Sequence, residues 1–378
     1  MRNVVIAGYA RSPFHLAGKG ALARVRPDDL AAQVVRGLIA RTKVDPKAIE
    51  DLILGCAFPE GEQGFNIARL VGLIADLPLS VGGMTVNRFC GSSMSAVHIA
   101  AGQIQLGAGD VFICGGVESM SRVPMMGFNP MPNPELAKKS AAYLGMGDTA
   151  ENVAAQYQIS RAQQEAFAVT SQTKAGAAIA AGKLDAEIVP ITTKTGTIDK
   201  DGTPRPQTTA DALATLKPAF SANGTVTAGT SSPLTDGASA VLVTSEEYAR
   251  AHGLTIMARI KSVAISGCQP QIMGIGPVEA TRKALARAGL NATQLDVIEL
   301  NEAFASQSLA CIQDLGLDVN KVNIDGGAIA IGHPLGATGA RIVGKAAALL
   351  QREKGKYALA TQCIGGGQGI ATILEAVQ

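Results

Sequence analysis

Short apolar runs alternate along the chain with longer segments in which apolar residues recur at helical spacing. Four of the apolar runs predict buried strands: Val4–Ala7, Leu52–Leu54, Met84–Val86 and Val111–Cys114. Helices are predicted between them, at Pro27–Thr42 and Ser92–Leu106. This alternation indicates an α/β fold with a mostly parallel sheet.

The second half of the chain repeats the pattern of the first. A shift of 246 positions (304 minus 58) places Ile49–Phe58 on Leu295–Phe304. The same shift, without a gap, places Cys90 on Gly336. Because one register serves two separated segments, we predict an internal duplication.

A shift that is larger by three residues aligns another pair of strand-like segments. With that addition Val111–Gly116 falls near Ala360–Gly365, and Cys114 falls on Cys363. In a duplicated α/β protein, each half is expected to offer its strand ends and helix starts at a shared interface, where clefts form. Residues that are far apart in the sequence should therefore converge there.

An insertion separates the two halves. Its beginning, Ser121–Ala142, is rich in Pro, Met, Asn and Gly and predicts an extended loop, and Asp199–Gln207 predicts another exposed loop. Helices are predicted at Thr149–Tyr157 and Arg161–Ala181. The predicted parts are residues 1–118, an N-terminal half completed by the strand region around 236–247; residues 119–247, the inserted loop domain; and residues 248–378, the C-terminal half.

Composition narrows the class of protein. The chain has 378 residues, of which 47% are hydrophobic and 17% charged, so it can bury a large core divided into more than one subdomain. A formal net charge of +2 gives no argument for a nucleic acid or a membrane surface as a partner. The first residues read as a strand rather than a leader, and no uncharged apolar run is long enough to span a bilayer.

The six cysteines indicate a reducing compartment. None forms a CxxC pair, so neither a zinc cluster nor another metal site is expected. Their long spacings differ from a disulfide framework and predict free thiols, so we expect a cytoplasmic protein.

Cys90 is the first candidate for chemistry. It ends a strand-like run and precedes Gly91-Ser92-Ser93, at the start of a predicted helix. The free N–H groups and the positive dipole end of that helix would point toward the sulfur, which predicts a lowered pKa. A single cysteine read alone is more often a small core residue, so Cys90 gains weight only from other segments.

Three other segments supply that weight. Cys363 precedes the glycine-rich turn Gly365-Gly366-Gly367, and a thiol beside exposed amide donors suits chemistry at a thioester or carbonyl. His333 lies in the turn Gly332-His333-Pro334, where it can take a proton from a thiol or donate to an oxyanion. Asn301 follows the predicted strand Val297–Leu300 and can hold a water or an oxyanion, although alone it would be read as a turn residue.

The other histidines and cysteines lack such a setting. The histidines predicted to be structural or solvated are His15, His98 and His252. The cysteines without an assigned chemical role are Cys56 and Cys311, predicted to lie in the core or on a helix, and Cys114 and Cys268.

Taken together, the segments around Cys90, Asn301, His333 and Cys363 resemble those of the thiolase family. They occur in the family's order, and the resemblance covers essentially the whole chain. It implies a duplicated α-β-α-β-α layered core with a loop domain inserted in the first half. It also implies a homodimer, or a homotetramer of two dimers, that binds acyl-CoA and CoA and uses CoA as a substrate, with no other cofactor.

The resemblance implies a role for each catalytic candidate. Cys90 matches the nucleophile that becomes acylated, and His333 matches the base that activates it. Cys363 matches the acid/base that protonates the leaving enolate. His333 and a water on Asn301 match one oxyanion hole, and the backbone N–H groups of Cys90 and Gly365 match a second.

It also implies contacts with CoA and with the acyl group. Arg205 matches an arginine near the adenine–phosphate end, and Ser232 matches a serine that contacts the pantetheine arm. Met146 and Met273 match methionines that line the acyl end, and Phe304 is placed in the same pocket. Without the resemblance, Arg205 would be read as a solvated loop arginine.

Two departures bear on the substrate. Gly145-Met146 and Ser232-Pro233 stand where many short-chain acetoacetyl-CoA thiolases carry His-Met and Ser-Gly. Both resemble the degradative type, and Gly145 would leave room for a longer acyl group. The resemblance therefore favours cleavage of 3-ketoacyl-CoA with CoA, in fatty-acid β-oxidation, through an acyl-cysteine intermediate.

Two alternatives stay open at this point. The first is an acetoacetyl-CoA thiolase that condenses two acetyl-CoA molecules. The second is a non-catalytic acyl-CoA or lipid carrier on the same fold, although such a carrier is expected to have lost at least one catalytic residue. A decarboxylating ketosynthase would carry a second histidine where this chain has Cys363.

Overall fold

A computed structural model describes residues 2–377 of the chain. The strands are β1 (Val4–Arg11), β2 (His15–Leu16), β3 (Asp51–Gly55), β4 (Gly82–Val86), β5 (Val111–Ser119), β6 (Ile191–Thr193), β7 (Gly196–Ile198), β8 (Thr235–Ser245), β9 (Ala258–Gly267), β10 (Val297–Leu300), β11 (Tyr357–Ile364) and β12 (Gln368–Glu375). The α-helices are α1 (Pro27–Thr42), α2 (Ile67–Ile74), α3 (Ser92–Leu106), α4 (Pro134–Lys139), α5 (Met146–Gln156), α6 (Arg161–Ala180), α7 (Ala210–Ala214), α8 (Glu246–Ala251), α9 (Gly276–Ala288), α10 (Ala305–Leu315), α11 (Ala328–Ile331) and α12 (Leu335–Arg352).

The predicted elements are present, and two helices have the predicted bounds. Helix α1 begins where predicted because Pro27 occupies its first turn with Asp28 and Asp29, and it ends where Lys43 adopts a left-handed conformation. Helix α3 runs over the predicted Ser92–Leu106. The four predicted strands correspond to β1, β3, β4 and β5.

One large sheet passes through both halves, in the order β10-β11-β12-β9-β1-β8-β5-β3-β4, with β2 paired to β8. Three of its strand pairs are parallel and six are antiparallel. The prediction of a mostly parallel sheet is therefore wrong. Only β3, β4 and β5, and later β10 and β11, are linked by crossover helices, whereas β8, β1, β12 and β9 close each half with antiparallel pairs.

The register of the sheet shows the duplication directly. In the first half β3 and β5 pair with Asp51 opposite Phe112, and in the second β10 and β11 pair with Val297 opposite Ala358. Both partners move by 246 positions (297 minus 51 and 358 minus 112). The extra shift of three residues is therefore wrong, because no residue is inserted between the repeated strands. Cys114 corresponds to Ala360 and not to Cys363.

Five layers result from the alternation of side chains along the strands. On β3, Ile53 packs in the core beneath α3 and α12, while its neighbour Leu52 packs in the core beneath α1 and α2. On β10, Val297 joins the central core and Ile298 joins the core formed with α9 and α10. The central layer therefore consists of α3 and α12, covered by sheet on both sides. Small residues suit it, since almost every residue of α12 is buried.

The insertion between β5 and β8 contains α4 to α7 and the hairpin of β6 and β7. The predicted extended loop 121–142 includes a short helix, α4, because Asn133 accepts hydrogen bonds from the N–H groups of Glu135 and Leu136 and caps it. The loop 199–207 has neither helix nor strand, as predicted, but Asp201 is drawn into the protein by Arg11. The boundaries at 118/119 and 247/248 stay a prediction.

Candidate active site

Cys90 lies in the turn that joins β4 to α3. The turn is tight, with Phe89 at a φ of 43° and hydrogen bonds from the N–H groups of Gly91 and Ser92 to the carbonyls of Arg88 and Phe89. The cysteine is 9% exposed and packs in an apolar cluster with Ala57, Met120 and Leu335. The turn therefore presents one thiol in an apolar surrounding, directly before the first turn of a helix.

Close backbone contact brings the starts of α3 and α12 together. A Cβ on Gly336 would lie 2.7 Å from Cys56 Cα, and one on Gly339 would lie 2.3 Å from the backbone nitrogen of Met94. Larger side chains at these two positions would force the helices apart. The glycines thus let the segment that carries His333 reach the segment that carries Cys90.

The glycine turn after β11 closes on Cys90 from the other half. The backbone N–H groups of Gly365 and of Cys90 itself lie near enough to the Cys90 sulfur to lower its pKa. The side-chain amide of Gln362 donates to the Cys90 carbonyl. Cys363 is fully buried and close enough for the charge of a Cys90 thiolate to raise its pKa, although burial raises that pKa more. The two cysteines therefore lie near each other.

The predicted lowering of the Cys90 pKa is wrong for the free protein. Burial raises the pKa of Cys90 to about 12, and the negative charge of Glu118 acts in the same direction. The N–H groups of Gly365 and Cys90 lower the pKa but offset only part of the loss of water. Cys90 is therefore a thiol at neutral pH, and it needs a base to react.

His333 is the residue predicted to be that base. It is 4% exposed, and burial lowers its pKa to about 3, with a smaller contribution from Arg341, so the imidazole is neutral. Its Nδ1 lies 2.7 Å from Thr338 Oγ1, and its Nε2 lies 3.4 Å from Asn301 Nδ2. An amide N–H can approach only an unprotonated ring nitrogen. These contacts fit the tautomer in which Nδ1–H donates to Thr338 and Nε2 is free to accept a proton.

Replacing Thr338 by valine should lower kcat by about 10- to 100-fold, because it removes a buried hydrogen bond worth roughly 1–3 kcal/mol. The His333 ring would then no longer be held in the tautomer with its proton on Nδ1. Thr338→Ser keeps the hydroxyl and should stay near the wild-type kcat. Steady-state cleavage rates at several substrate concentrations separate kcat from KM. Equal kcat values for the valine and serine variants would show that Thr338 does not set the state of His333.

Asn301 lies directly after β10, as predicted, and is fully buried. Its backbone N–H donates to the carbonyl of Thr361 on β11, which fixes the chain at this point. Its side-chain Oδ1 has no hydrogen-bond partner in the protein. A buried amide oxygen without a partner needs a water or a ligand, so this position is suited to hold one.

An apolar wall borders Cys363. Met273 and Phe304 are buried in one cluster with Cys363, and Met146 packs against that cluster. Met146 also lies on the Cys90 side, because a Cβ on Gly365 would be 3.5 Å from its sulfur. The structure thus places all three residues predicted for the acyl pocket beside the cysteines.

The two residues predicted to contact CoA lie at different distances from this centre. Ser232 is next to it, since its N–H donates to the carbonyl of Ala303, just before Phe304. Arg205 is exposed on the loop of the insertion, where its backbone N–H donates to Gln172. It is not brought to the cysteines, and it would serve only the distant end of a long ligand.

The remaining histidines and cysteines occupy structural positions, as predicted. His15 bonds the Lys200 carbonyl, and His98 bonds Thr372. His252 forms a hydrogen bond with the Tyr248 carbonyl and stacks on the Tyr248 ring. Among the other cysteines, Cys56 Sγ donates to the Glu118 carboxylate, and the thiols of Cys114 and Cys311 donate to backbone carbonyls.

Sequence reasoning missed the residues that hold the candidates in place. Gln362 and Thr338 contact Cys90 and His333 directly, yet neither was selected. The available signal was a polar residue at a buried position, since Gln362 lies on an otherwise largely apolar strand and is fully buried. Such a residue requires a partner.

Residues 2–377 lack two kinds of feature. No group of three or more His, Cys, Asp or Glu side chains is placed to hold a metal ion. In the same part of the chain, no helix is both long enough and apolar enough to cross a membrane.

Known proteins are similar to this chain in both sequence and fold. Residues 4–247 match the family model described as "Thiolase, N-terminal domain", and residues 254–376 match "Thiolase, C-terminal domain". A protein of Bacillus subtilis named 3-ketoacyl-CoA thiolase is 48% identical over 389 aligned positions, which cover 99% of this chain and 100% of the relative. A protein of Vibrio vulnificus with the same name is 50% identical, at 99% and 100% coverage.

Among solved structures, that of human mitochondrial 3-ketoacyl-CoA thiolase in complex with CoA is similar throughout. It has a TM-score of 0.92 and 38% sequence identity. The similarity covers 100% of this chain and 98% of the human one.

Proposed function

The chain belongs to the thiolase family, and on that premise we propose that it cleaves 3-ketoacyl-CoA with CoA to acetyl-CoA and a shortened acyl-CoA. The observation that carries the proposal is the meeting of Cys90 and Cys363, from the two halves, under the N–H of Gly365. The full-length relatives that bear the name 3-ketoacyl-CoA thiolase support the same activity.

In the first proposed step, the Cys90 thiol gives its proton to His333 Nε2 while its sulfur attacks the C3 ketone. The C2–C3 bond then breaks, and its electron pair leaves as the enolate of acetyl-CoA. A donor pair of His333 and a water on Asn301 would hold the enolate oxygen, and the Cys363 thiol would protonate C2. Oxyanion donors of this kind are typically worth roughly 3–4 kcal/mol each.

In the second step, CoA takes the acyl group. The Cys363 thiolate accepts the proton of the CoA thiol, whose sulfur attacks the thioester on Cys90. The N–H groups of Cys90 and Gly365 would donate to the thioester oxygen, a role supported by their nearness to the Cys90 sulfur. The Cys90 thiolate leaves and recovers its proton from His333, which balances the cycle. Splitting the reaction in this way is covalent catalysis.

The substrate is proposed to carry more than a four-carbon acyl group. Gly145 precedes α5, and a Cβ at this position would meet only the carboxylate of Asp148 within 4 Å. Space is therefore left next to Met146, which packs against the cluster of Cys363. An enzyme that acts only on acetoacetyl-CoA would not need this space.

Chain-length preference tests the proposal. We expect kcat/KM for 3-ketoacyl-CoA of about six to ten carbons to exceed that for acetoacetyl-CoA roughly tenfold, since each buried methylene contributes about 0.8 kcal/mol before ordering costs. Gly145→His should reduce the value for the long substrates more than that for acetoacetyl-CoA. A strong preference of the wild type for acetoacetyl-CoA would instead indicate the short-chain enzyme, and no cleavage of any of them would indicate a carrier.

Ligands, assembly and location complete the proposal. The binding partners would be acyl-CoA and CoA, with Arg205 and Ser232 contacting CoA. A homodimer or homotetramer is supported by β4, which ends the sheet with a partly exposed backbone edge that a second copy could pair with. A cytoplasmic location is supported by the six free thiols.

A further inference from the structure

Glu118 is a buried carboxylate that the reaction itself does not use. It lies near the end of β5 and is 1% exposed. Among residues 2–377, no Lys or Arg forms an ion pair with it. A buried carboxylate without a cation is costly, so it is retained only where several donors converge on it.

Four nitrogen donors do converge. The Glu118 carboxylate accepts hydrogen bonds from the backbone N–H groups of Ala57 at 2.8 Å, Phe58 at 3.2 Å and Gly336 at 2.9 Å, and from Gln63 Nε2 at 2.9 Å. Burial raises the pKa of Glu118, and these donors lower it. An amide in its place has one acceptor oxygen instead of two, so it cannot satisfy them all. The position thus requires a carboxylate.

These donors come from both halves of the protein. Ala57 and Phe58 follow β3, whereas Gly336 is in the first turn of α12, three residues after His333. A single oxygen, Oε2, accepts from both Ala57 and Gly336. Glu118 therefore fixes the start of α12 against the first half at a point where glycine alone fits, because a Cβ on Gly336 would lie 2.8 Å from that oxygen.

The same backbone segment also holds the turn that carries Cys90. The Ala57 carbonyl accepts a hydrogen bond from Asn87 Nδ2 at 3.1 Å, and Ala57 and Leu335 pack in the cluster around Cys90. A path of short contacts thus runs from Asn87 through Ala57 and Glu118 to Gly336, and it joins the turns of the nucleophile and the base.

We propose that Glu118 is a positioning residue that sets the approach of His333 to Cys90 across the two halves. This inference rests on the proposed function, since it assumes that these two side chains exchange a proton. Glu118 touches neither reacting group in this account. It acts through the backbone to which both are attached.

The test is Glu118→Gln, which keeps the size of the side chain and removes its charge and one acceptor. We expect the rate of Cys90 acylation by a 3-ketoacyl-CoA, followed by mass spectrometry, to fall about 10- to 100-fold, as is typical for residues that orient a reacting group. The KM for CoA should be unchanged. Alkylation of Cys90 by iodoacetamide should slow as well, because Cys90 needs the same base to form its thiolate.

A general disturbance of the site would also weaken substrate binding, so an acylation rate that falls together with a rise in the KM for CoA would overturn the inference. So would an acylation rate within twofold of the wild type. The control is Glu246→Gln, which removes a buried carboxylate far along the chain, paired with Arg250 and Arg259, and should leave the acylation rate unchanged.

Two further arms keep the outcome decisive. If Glu118→Gln does not fold, Glu118→Asp replaces it, because the shorter carboxylate keeps the charge but cannot reach the donors of both halves; the same fall in acylation is expected and the same results overturn it. If the wild type itself cleaves no 3-ketoacyl-CoA, the proposed function fails. If the wild type cleaves it and both variants match it, only the role of Glu118 fails.

Discussion

Replacing Cys90 by alanine should lower the rate of 3-ketoacyl-CoA cleavage by at least about 10⁴-fold, in the range measured when a covalent nucleophile is removed. The reason lies in the leaving group. A carbon–carbon bond breaks only if the ketone carbon is held by a nucleophile while the enolate departs, and Cys90 is the thiol that the N–H groups of Gly365 and Cys90 converge on. The rate is measured from acetyl-CoA released in the presence of CoA.

A second cysteine gives the matched control for this prediction. Cys114→Ala removes a thiol of the same half that is fully buried in the central core and donates only to a backbone carbonyl. Its kcat should stay near that of the wild type, although some stability is lost with the sulfur. Mass spectrometry of the protein after a single turnover should find the acyl group on the wild type and on Cys114→Ala. Cleavage that persists in Cys90→Ala would mean that another group is the nucleophile.

The variant Cys363→Ala complements Cys90→Ala because it distinguishes the roles of the two thiols. In the proposed cycle, Cys90 forms the bond and Cys363 moves the proton, so a variant without Cys363 can still be alkylated at Cys90. The structure supports this division of labour: Cys90 receives two backbone N–H groups, whereas Cys363 lies on β11 in an apolar cluster with Met273 and Phe304.

Local pattern was sufficient to predict most of the fold that positions this site. Helices α1 and α3 have the predicted bounds because their ends carry local signals, such as Pro27 at one start and Gly107 in a left-handed conformation at one end. The duplication was visible because the strands and helices of both halves keep one spacing. The direction of the closing strands was not visible, because an apolar run has no feature that distinguishes a parallel from an antiparallel neighbour.

The catalytic candidates were predictable for a different reason. Cys90, His333 and Cys363 stand in or beside glycine-rich turns, so the neighbouring residues of each mark it as a candidate. The charge state of Cys90 could not be predicted from its neighbours in the sequence, because the start of α3 and the apolar cluster around the sulfur act in opposite directions on its pKa. Only the packed structure shows that burial has the larger effect.

The buried charged residues that join distant segments were not predictable. Glu118 reads as a polar residue near the end of a strand, and its partners Ala57 and Gly336 are 61 and 218 positions away. No periodicity or motif connects them. The same holds for Asp201, whose loop was predicted to be exposed although its carboxylate is buried against Arg11, 190 positions away.

Replacing Arg11 by methionine should lower the free energy of unfolding by about 3–5 kcal/mol, the cost of leaving a buried charge without its partner. Arg11 is fully buried and forms two hydrogen bonds to Asp201, at 2.7 and 2.8 Å, and one to Glu187 at 2.7 Å. Glu187 also pairs with Lys345, which pairs with Asp325. Methionine fills a similar volume but leaves the Asp201 carboxylate without a cation.

The controls separate burial from the ion pair as such. Lys138→Met breaks a pair with Glu135 in which both side chains are more than two-thirds exposed, so it should cost no more than about 0.5 kcal/mol. Arg11→Lys keeps the charge but cannot form the two-pronged contact with Asp201, and should fall between the two. Urea unfolding at one fixed protein concentration gives the three values. A loss in Arg11→Met as small as that in Lys138→Met would contradict the prediction.

The position of this network explains why its loss should be large. Arg11 belongs to the first half, Glu187 and Asp201 to the inserted segment, and Lys345 to α12 in the second half. One buried chain of alternating charges therefore ties together three stretches of sequence. Arg352 pairs with Asp325 and makes the total neutral, which makes burial tolerable, and every charge in the network depends on its neighbours. Removing one cation leaves a buried carboxylate without its partner. Removing one partner of a solvent-exposed pair loses only a contact that water replaces.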